Sequence, residues 1–528
     1  MTGFEGTAAL ARLAVRRDRV RLTVWLLGVS GISYFAGNAM ATTFPTPQSI
    51  QVYGASASRS AALIALSGPP IALDTLAGIV LNKVELMTVL GVSLMAVFEV
   101  VRHTRGEEEE GRTELVRAGV VGRHAGGAAA LLVASAAALL MGVLVALALA
   151  GASVPAPSSV LYGAATAGLG LVFAGIGLCL AQVFTHARAA LGAAMAILGA
   201  ASLLRAVGDV RGDALVWASP IGWSQATHVL GRERWWPLVV CVVAWLVLAA
   251  AAVRLSGRRD VGAGLVAARD GAPEAGPLLS GPLGLAVRLQ RATVVAWAAG
   301  VFLVAAMFGS LTKAVGEMAR DNPAIVTYMR ATGQGTFVDA FLATMMLAIA
   351  LLASGFAVSS ALRLHAEESS GRAEAVLATG MSRARWVAGD LTVTVVGTAL
   401  LLVAGGFGLG LAYGLVAGGP GQMPRLAALE LLYLPAVLSL AGLAVLLDGW
   451  RPEWVGVAWA GLGACFVIGW LGPLLDLPQW VSNLSPFTHV PHVPVAAATW
   501  AGPSYTLLAA ALLVALGWAG LRRRDLPR

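Results

Sequence analysis

Apolar runs of about twenty residues, parted by short polar stretches, are the dominant pattern of this chain. Such a run is long enough to cross the roughly 30 Å hydrocarbon core of a bilayer as a helix. The runs predict twelve spanning helices, near residues 20–41, 86–102, 127–151, 159–184, 190–208, 237–255, 292–311, 338–362, 389–416, 425–447, 454–474 and 503–521. The first also has the outline of a secretory signal, with basic residues, an apolar run and then Ala39-Met40-Ala41. That reading is rejected because the basic region is long and an internal segment copies it.

The copy is one of several. Leu13-Ala14-Val15-Arg16, followed by Arg19, Trp25, Gly28 and Val29, returns as Leu285-Ala286-Val287-Arg288, followed by Arg291, Trp297, Gly300 and Val301. Glu107-Glu108-x-x-Gly111-Arg112-x-Glu114-x-Val116-x-Ala118 returns as Glu367-Glu368-x-x-Gly371-Arg372-x-Glu374-x-Val376-x-Ala378. Ser219-Pro220 returns as Ser485-Pro486, and Arg258-Arg259-Asp260 as Arg523-Arg524-Asp525. The spacing between copies stays between 260 and 272 residues, so the match runs along the whole chain. The predicted fold is an all-α integral membrane protein of about twelve transmembrane helices, built as two fused parallel six-helix halves, a pseudo-dimer. The halves are residues 1–255 and 283–528. A flexible cytoplasmic linker, 256–282, rich in Gly, Ala and Pro, joins them.

Composition agrees with burial in lipid. The chain is 58% hydrophobic and 12% charged, with a mean hydropathy of +0.78, against roughly 25% charged residues in soluble domains. The net charge of +8 raises nucleic acid as a partner, but no compact basic patch with interleaved aromatics occurs. Most of the 36 basic residues instead cluster at the ends of apolar runs. With the N-terminus inside, they fall on the cytoplasmic side, which predicts a multi-pass protein of a bacterial cell membrane with both termini cytoplasmic. Bacterial origin is inferred from the Ala, Gly and Arg bias, in which Lys83 and Lys313 are the only lysines. Cys179, Cys241 and Cys465 lie in apolar segments without metal-ligand spacing and read as small hydrophobes.

The strongest candidate chemistry is the loop after the second span and its copy after the eighth. Each is short, charged and predicted helical, with Glu108–Arg112 and Glu368–Arg372 as i,i+4 pairs in the favourable order. The bland reading is a solvated helical cap, which duplication of the same residues weakens. These loops resemble the coupling helices of ABC-2-type permeases, in particular the actinobacterial exporters of polyketide antibiotics. Ser219-Pro220-Ile221-Gly222-Trp223 and Gly231-Arg232-Glu233-Arg234-Trp235-Trp236-Pro237-Leu238 resemble that group's outer segment before the sixth span. The second copy departs from it, with Phe487-Thr488-His489 after Ser485-Pro486 and no Trp-Trp pair.

The resemblance implies a permease subunit of an ATP-driven multidrug exporter that effluxes a lipophilic antibiotic or drug. Two copies of a separate ABC ATP-binding subunit would dock on Glu107, Glu108, Gly111, Arg112, Glu114, Glu367, Glu368, Gly371, Arg372 and Glu374. ATP and Mg would belong to that partner, leaving this chain with no cofactor, metal or catalytic residue. The residues support the division of labour. A P-loop needs Gly-x-x-x-x-Gly-Lys-[Ser/Thr], and neither Lys83 nor Lys313 stands in one.

Weaker features read first as structure. Gly406, Gly410, Gly414 and Gly418 are spaced for close helix packing. Glu99 and Glu430 fall near span ends, where interfacial solvation competes with a functional role. His489 and His492 lack further ligands, and Trp235 and Trp236 suit an interfacial aromatic belt. The basic approaches 10–21 and 283–291 suit the inner membrane face. Two other classes compete: a proton-driven secondary transporter, for which deep carboxylates look scarce, and a non-transporting protein that recruits an ATPase.

Overall fold

The structure is a computed structural model that describes residues 3–59, 61–260, 262–266, 274, 276, 279, 281–320, 336–471 and 478–524. Among them there is no strand. Twelve helices are long and apolar enough to cross a membrane: Thr7–Thr43, Leu76–Glu109, Ala125–Ala150, Ala156–Val183, Ala187–Arg211, Pro237–Ser256, Pro282–Glu317, Phe337–Ser369, Arg383–Ala417, Gln422–Trp450, Pro452–Gly469 and Ala501–Arg523. They answer the twelve expected spans in order.

Two boundaries shift the picture. The first span is one uninterrupted helix of 37 residues. At 1.5 Å per residue it is about 55 Å long, well beyond a core of about 30 Å. Its arginine-bearing start therefore continues the span beyond the core and is not a separate surface helix. The second span begins at Leu76, where the Thr75 side chain accepts a hydrogen bond from the Gly78 backbone N–H. The expected start near 86 came too late because Asn82-Lys83-Val84-Glu85 lowers the local hydropathy. Glu85 is thus a residue of the span and not of the loop before it.

The chain forms two compact units, Met1–Gly271 and Ala272–Arg528. Their boundary falls within 256–282, and residues 261, 267–273, 275, 277, 278 and 280 of that segment lie outside the described ones. Each unit repeats one packing plan. In the first, span one packs on two and three, three on four, four on two and six, and five on two and four. In the second, seven packs on eight and nine, nine on ten, ten on eight and twelve, and eleven on eight and ten. The second and fourth spans are 67% and 78% buried, the eighth and tenth 72% and 67%, so corresponding helices form the centre of each unit.

Close approaches explain part of the glycine content. A Cβ at Gly406 or Gly410 would stand 2.5 Å from the carbonyl oxygen of Leu426 or Gln422, so the ninth and tenth spans meet backbone to backbone. Of the four-residue stripe, these two members make the interhelix contact; a Cβ at Gly414 would meet Gly419, on its own connecting segment.

Candidate functional site

Each duplicated loop is a short helix set off from the preceding span by a glycine. Arg112–Arg117 follows Gly111 at φ 70°, and Arg372–Leu377 follows Gly371 at φ 73°. This left-handed conformation is easy only for glycine, and it breaks helical geometry between residues 108 and 112. The expected i,i+4 pairs therefore do not form. Arg112 reaches Glu107 at 3.5 Å and also pairs with Glu110, while Arg372 Nε meets Glu367 at 2.7 Å. That last bond raises the already high pKa of Arg372, keeping it charged.

The glutamates before the glycine tie the loop to the bundle. Glu108 accepts hydrogen bonds from Arg259 Nη2 at 2.7 Å, Arg259 Nη1 at 3.0 Å and Arg105 Nη1 at 2.8 Å. Arg105 is fully buried and also donates to the carbonyl oxygens of Ala181, at the end of the fourth span, and Ala263. Glu107 accepts from Arg17 of the first span at 2.6 Å. Glu109 accepts from the Ala187 backbone N–H at 2.9 Å, at the start of the fifth span. One acidic run thus braces the first, fourth and fifth spans and the segment after the sixth.

The second unit reaches the same result with fewer residues. Glu368 pairs with Arg524, just after the twelfth span, and with Arg383 at 3.1 Å, where the ninth span begins. Arg383 Nη1 also donates to the Arg524 carbonyl oxygen at 2.8 Å. Glu367 meets Arg363 at 3.0 Å. The repeated Arg-Arg-Asp motif now has a physical role, because Arg259 and Arg524 are its corresponding members and each clamps the second glutamate of its own loop. Asp525 lies outside the described residues.

The loop helices present the same faces in both units. Thr113 and Val116 turn toward the first bundle, lining a chamber of about 560 Å³ with Leu13, Leu131, Leu178 and Trp245. Ala373 is buried in a small core with Leu364, Trp386 and Leu521, and Val376 packs against it. Glu114 and Glu374 are exposed, their side chains making no hydrogen bond or ion pair among the described residues, and Leu115 is 78% exposed beside Glu114.

At the opposite end the units diverge. Ser219 and Ser485 are both fully buried, and each accepts from a backbone N–H two residues on, at Ile221 (3.2 Å) and Phe487 (3.4 Å). Pro220 then opens an α-helix to Gln225, whereas Pro486 opens a 3-10 turn to His489. Trp223 Nε1 donates to the Trp217 carbonyl oxygen at 2.7 Å, and Trp217 stacks on Trp236. Trp235 and Trp236 are about half exposed. His489 bonds to the Asn483 carbonyl oxygen at 3.1 Å and joins no metal-ligand cluster among the described residues.

Asp18, His103 and Arg105 went unnoticed in the sequence, whereas Glu99 and Glu430 were seen as carboxylates near span ends. Asp18, Glu99 and His103 converge where the first two spans meet, with His103 Nε2 at 2.8 Å from Asp18 and 3.1 Å from Glu99. Arg102 already neutralises Asp18 at 2.9 Å, so this is an ion-paired lock between spans. Glu430 is fully buried and neither carboxyl oxygen has a partner among the described residues, which overturns interfacial solvation for it. Arg105, three residues before Glu108 and inside a π-helical turn, carried no signal beyond one more arginine at a span end.

Comparison with known proteins adds two findings. Residues 279–522 match the family described as the C-terminal domain of the multidrug efflux system permease Rv1217c. The multidrug efflux system permease protein Rv1217c of Mycobacterium tuberculosis is 38% identical over 529 aligned residues, covering 99% of this chain and 96% of that protein.

Proposed function

The chain belongs to the multidrug efflux system permease family of that relative, and from this premise we propose that it is the membrane subunit of an ATP-driven exporter of lipophilic or amphipathic drugs. ATP and Mg are held by two copies of a separate ABC ATP-binding subunit, one on each duplicated loop. The observation that carries this reading is the shared build of those loops. In both, the second glutamate is clamped to the arginine beyond its unit's last span, while Glu114 or Glu374 faces outward. A push on the outward face would therefore be passed to the spans through charge-assisted hydrogen bonds. The arginine distribution supports placing both loops and both termini in the cytoplasm.

The chamber beside the first loop supports a lipophilic cargo. Its volume of about 560 Å³ lies in the range of drug-sized sites, and its walls are largely aliphatic and aromatic. Co-purification of this chain with its ATP-binding partner, followed by drug-stimulated ATP hydrolysis at one permease to two ATPases, is the expected result. Drug transport that continues without any ATPase would overturn the reading.

One observation favours a second reading, a proton-driven transporter. Glu430 and Glu85 supply the in-span carboxylates that looked scarce in the sequence. The energy source separates the two. Export by the second reading stops when the proton gradient is collapsed and continues when ATP is depleted.

A further inference from the structure

Glu85 sits about 14 Å along the second span from its Leu76 start, at 1.5 Å per residue. Its carboxylate accepts from the Tyr162 hydroxyl at 2.8 Å and from Gln225 Nε2 at 3.0 Å, and Tyr162 bonds in turn to Thr88 at 2.7 Å. These partners are all neutral, and no ion pair reaches Glu85 among the described residues. The two nearby cations are engaged elsewhere. Lys83 lies over the Tyr53 ring, and Arg205 donates to Asp209 and to the carbonyl oxygens of Ile64 and Leu66. A carboxylate inside a span whose hydrogen bonds all come from neutral groups is costly.

The same group lines a cavity of about 70 Å³. Gln225, whose Nε2 is spent on Glu85, lines it too, and Gln225 Oε1 is buried without a hydrogen-bond partner among the described residues. The cavity therefore offers two acceptors, a carboxylate and an amide oxygen, beside the Asn82 amide. Leu81, Val89, Val92 and Leu169 form its apolar walls. An ammonium brings three N–H donors and a positive charge on a narrow neck, the complement of this arrangement. An anion or a pure acceptor would meet unpaired oxygen atoms. In the second unit the residue corresponding to Glu85 is Met345, and the one corresponding to Thr88 is Ala348.

We propose that Glu85 and Gln225, in the cavity between the second and fourth spans, bind the ammonium group of an amphipathic substrate, with the first carbons of its chain along Val89, Val92 and Leu169 and the rest of its apolar body outside the cavity. The inference rests on the exporter reading and narrows its cargo to lipophilic amines. It assigns the polar recognition to the first unit alone.

The test is direct binding to the purified permease in lipid nanodiscs, without any ATPase, so its outcome is independent of how transport is powered. The probes are dansylcadaverine, a fluorescent amine, and its N-acetyl derivative, which keeps the dansyl body and loses the charge. Binding is read by dansyl anisotropy against empty nanodiscs. The wild type should bind the amine at least tenfold more tightly than the amide. Glu85→Gln should abolish that preference while keeping binding of the amide, because the substitution is nearly isosteric and removes the carboxylate charge. Glu85→Asp should keep part of the preference. Met345→Gln, at the corresponding position of the other unit, should leave it unchanged. Equal binding of the two probes by the wild type, an unchanged preference in Glu85→Gln, or no saturable binding of the amine would each overturn the proposal. Should Glu85→Gln fail to fold, Gln225→Leu serves instead, with the same loss of preference expected and an unchanged preference counting against it.

Discussion

The loop-bearing ends of the two units share their glycine turn and their glutamate–arginine clamp, and the opposite ends share far less. At the loop-bearing ends the glycine has the same φ within a few degrees, and the second glutamate meets the corresponding arginine in both. At the opposite ends the units share only a buried serine cap before they part into an α-helix and a 3-10 turn. The polar cavity at Glu85 has Met345 at the corresponding place in the second unit. A surface that serves two identical partners must be presented twice in the same form. A surface that serves one asymmetric small molecule gains nothing from repetition. On the proposed function, this likeness marks the duplicated loops as the surface for the two ATP-binding partners.

The comparison hides a difference that stability measurements will expose. The Glu108 clamp is dry: Arg105, Arg259 and Glu108 have side-chain exposures of 0%, 7% and 9%. The partners of Glu368, Arg383 and Arg524, are 21% and 23% exposed. Removing one member of a buried ion pair costs about 3–5 kcal/mol, because the other charge is left without compensation. Glu108→Ala should therefore destabilise the purified permease by about that amount. Glu368→Ala should cost less, since water can reach its arginines. Thermal unfolding in detergent measures both, and an equal or larger loss for Glu368→Ala would break the distinction.

The next effect is on coupling. Arg112 and Arg372 have side chains 47% and 59% exposed, so their pairs with Glu107 and Glu367 contribute under about 1 kcal/mol to stability. Contact with a partner is another matter, since losing one side of a desolvated charge pair costs about 2–5 kcal/mol of docking. The double variants Arg112→Ala/Arg372→Ala and Glu114→Ala/Glu374→Ala should insert and unfold like the wild type. Transport should nevertheless fall, and ATP hydrolysis should lose its response to drug, more so than in any single variant. Wild-type coupling in both double variants would return the loops to solvated caps. A loss confined to one loop would end the symmetric reading.

Much of this organisation was legible in the sequence because it rests on one-dimensional signals. Spans follow from apolar run length, and the two-unit plan follows from repeated spacings such as Glu107 to Glu367 and Ser219 to Ser485. What failed depended on direction in space. Glu108 and Arg112 have helical spacing, but Gly111 takes the left-handed conformation and turns the arginine back to Glu107 and Glu110. Arg258-Arg259-Asp260 was visible as a repeat, yet nothing in the order of residues says that its second arginine meets a glutamate 151 positions earlier. Glu85 was missed because the polar Asn82 and Lys83 beside it made the first turns of the span look like a loop.

The smallest effect tests whether the two loops are equivalent in the backbone itself. Gly111 and Gly371 adopt φ 70° and 73°, and a Cβ added at either would find no heavy atom within 4 Å. Substitution there meets no steric neighbour, so its cost is the conformational penalty of placing a side chain in the left-handed region. For alanine that penalty is about 1–2 kcal/mol, and it should be the same in both units because no surrounding residue contributes. Asparagine enters this region more readily than alanine, so Gly111→Asn and Gly371→Asn should recover part of the loss. Chemical unfolding of the four single variants, read beside drug-stimulated ATP hydrolysis by the complex, measures the penalty and its consequence together. Matching alanine losses with matching asparagine rescue are expected. A Gly111→Ala loss much larger than that of Gly371→Ala would mean that the dry Glu108 clamp holds its loop more rigidly, leaving the first loop less able to absorb a backbone change than the second.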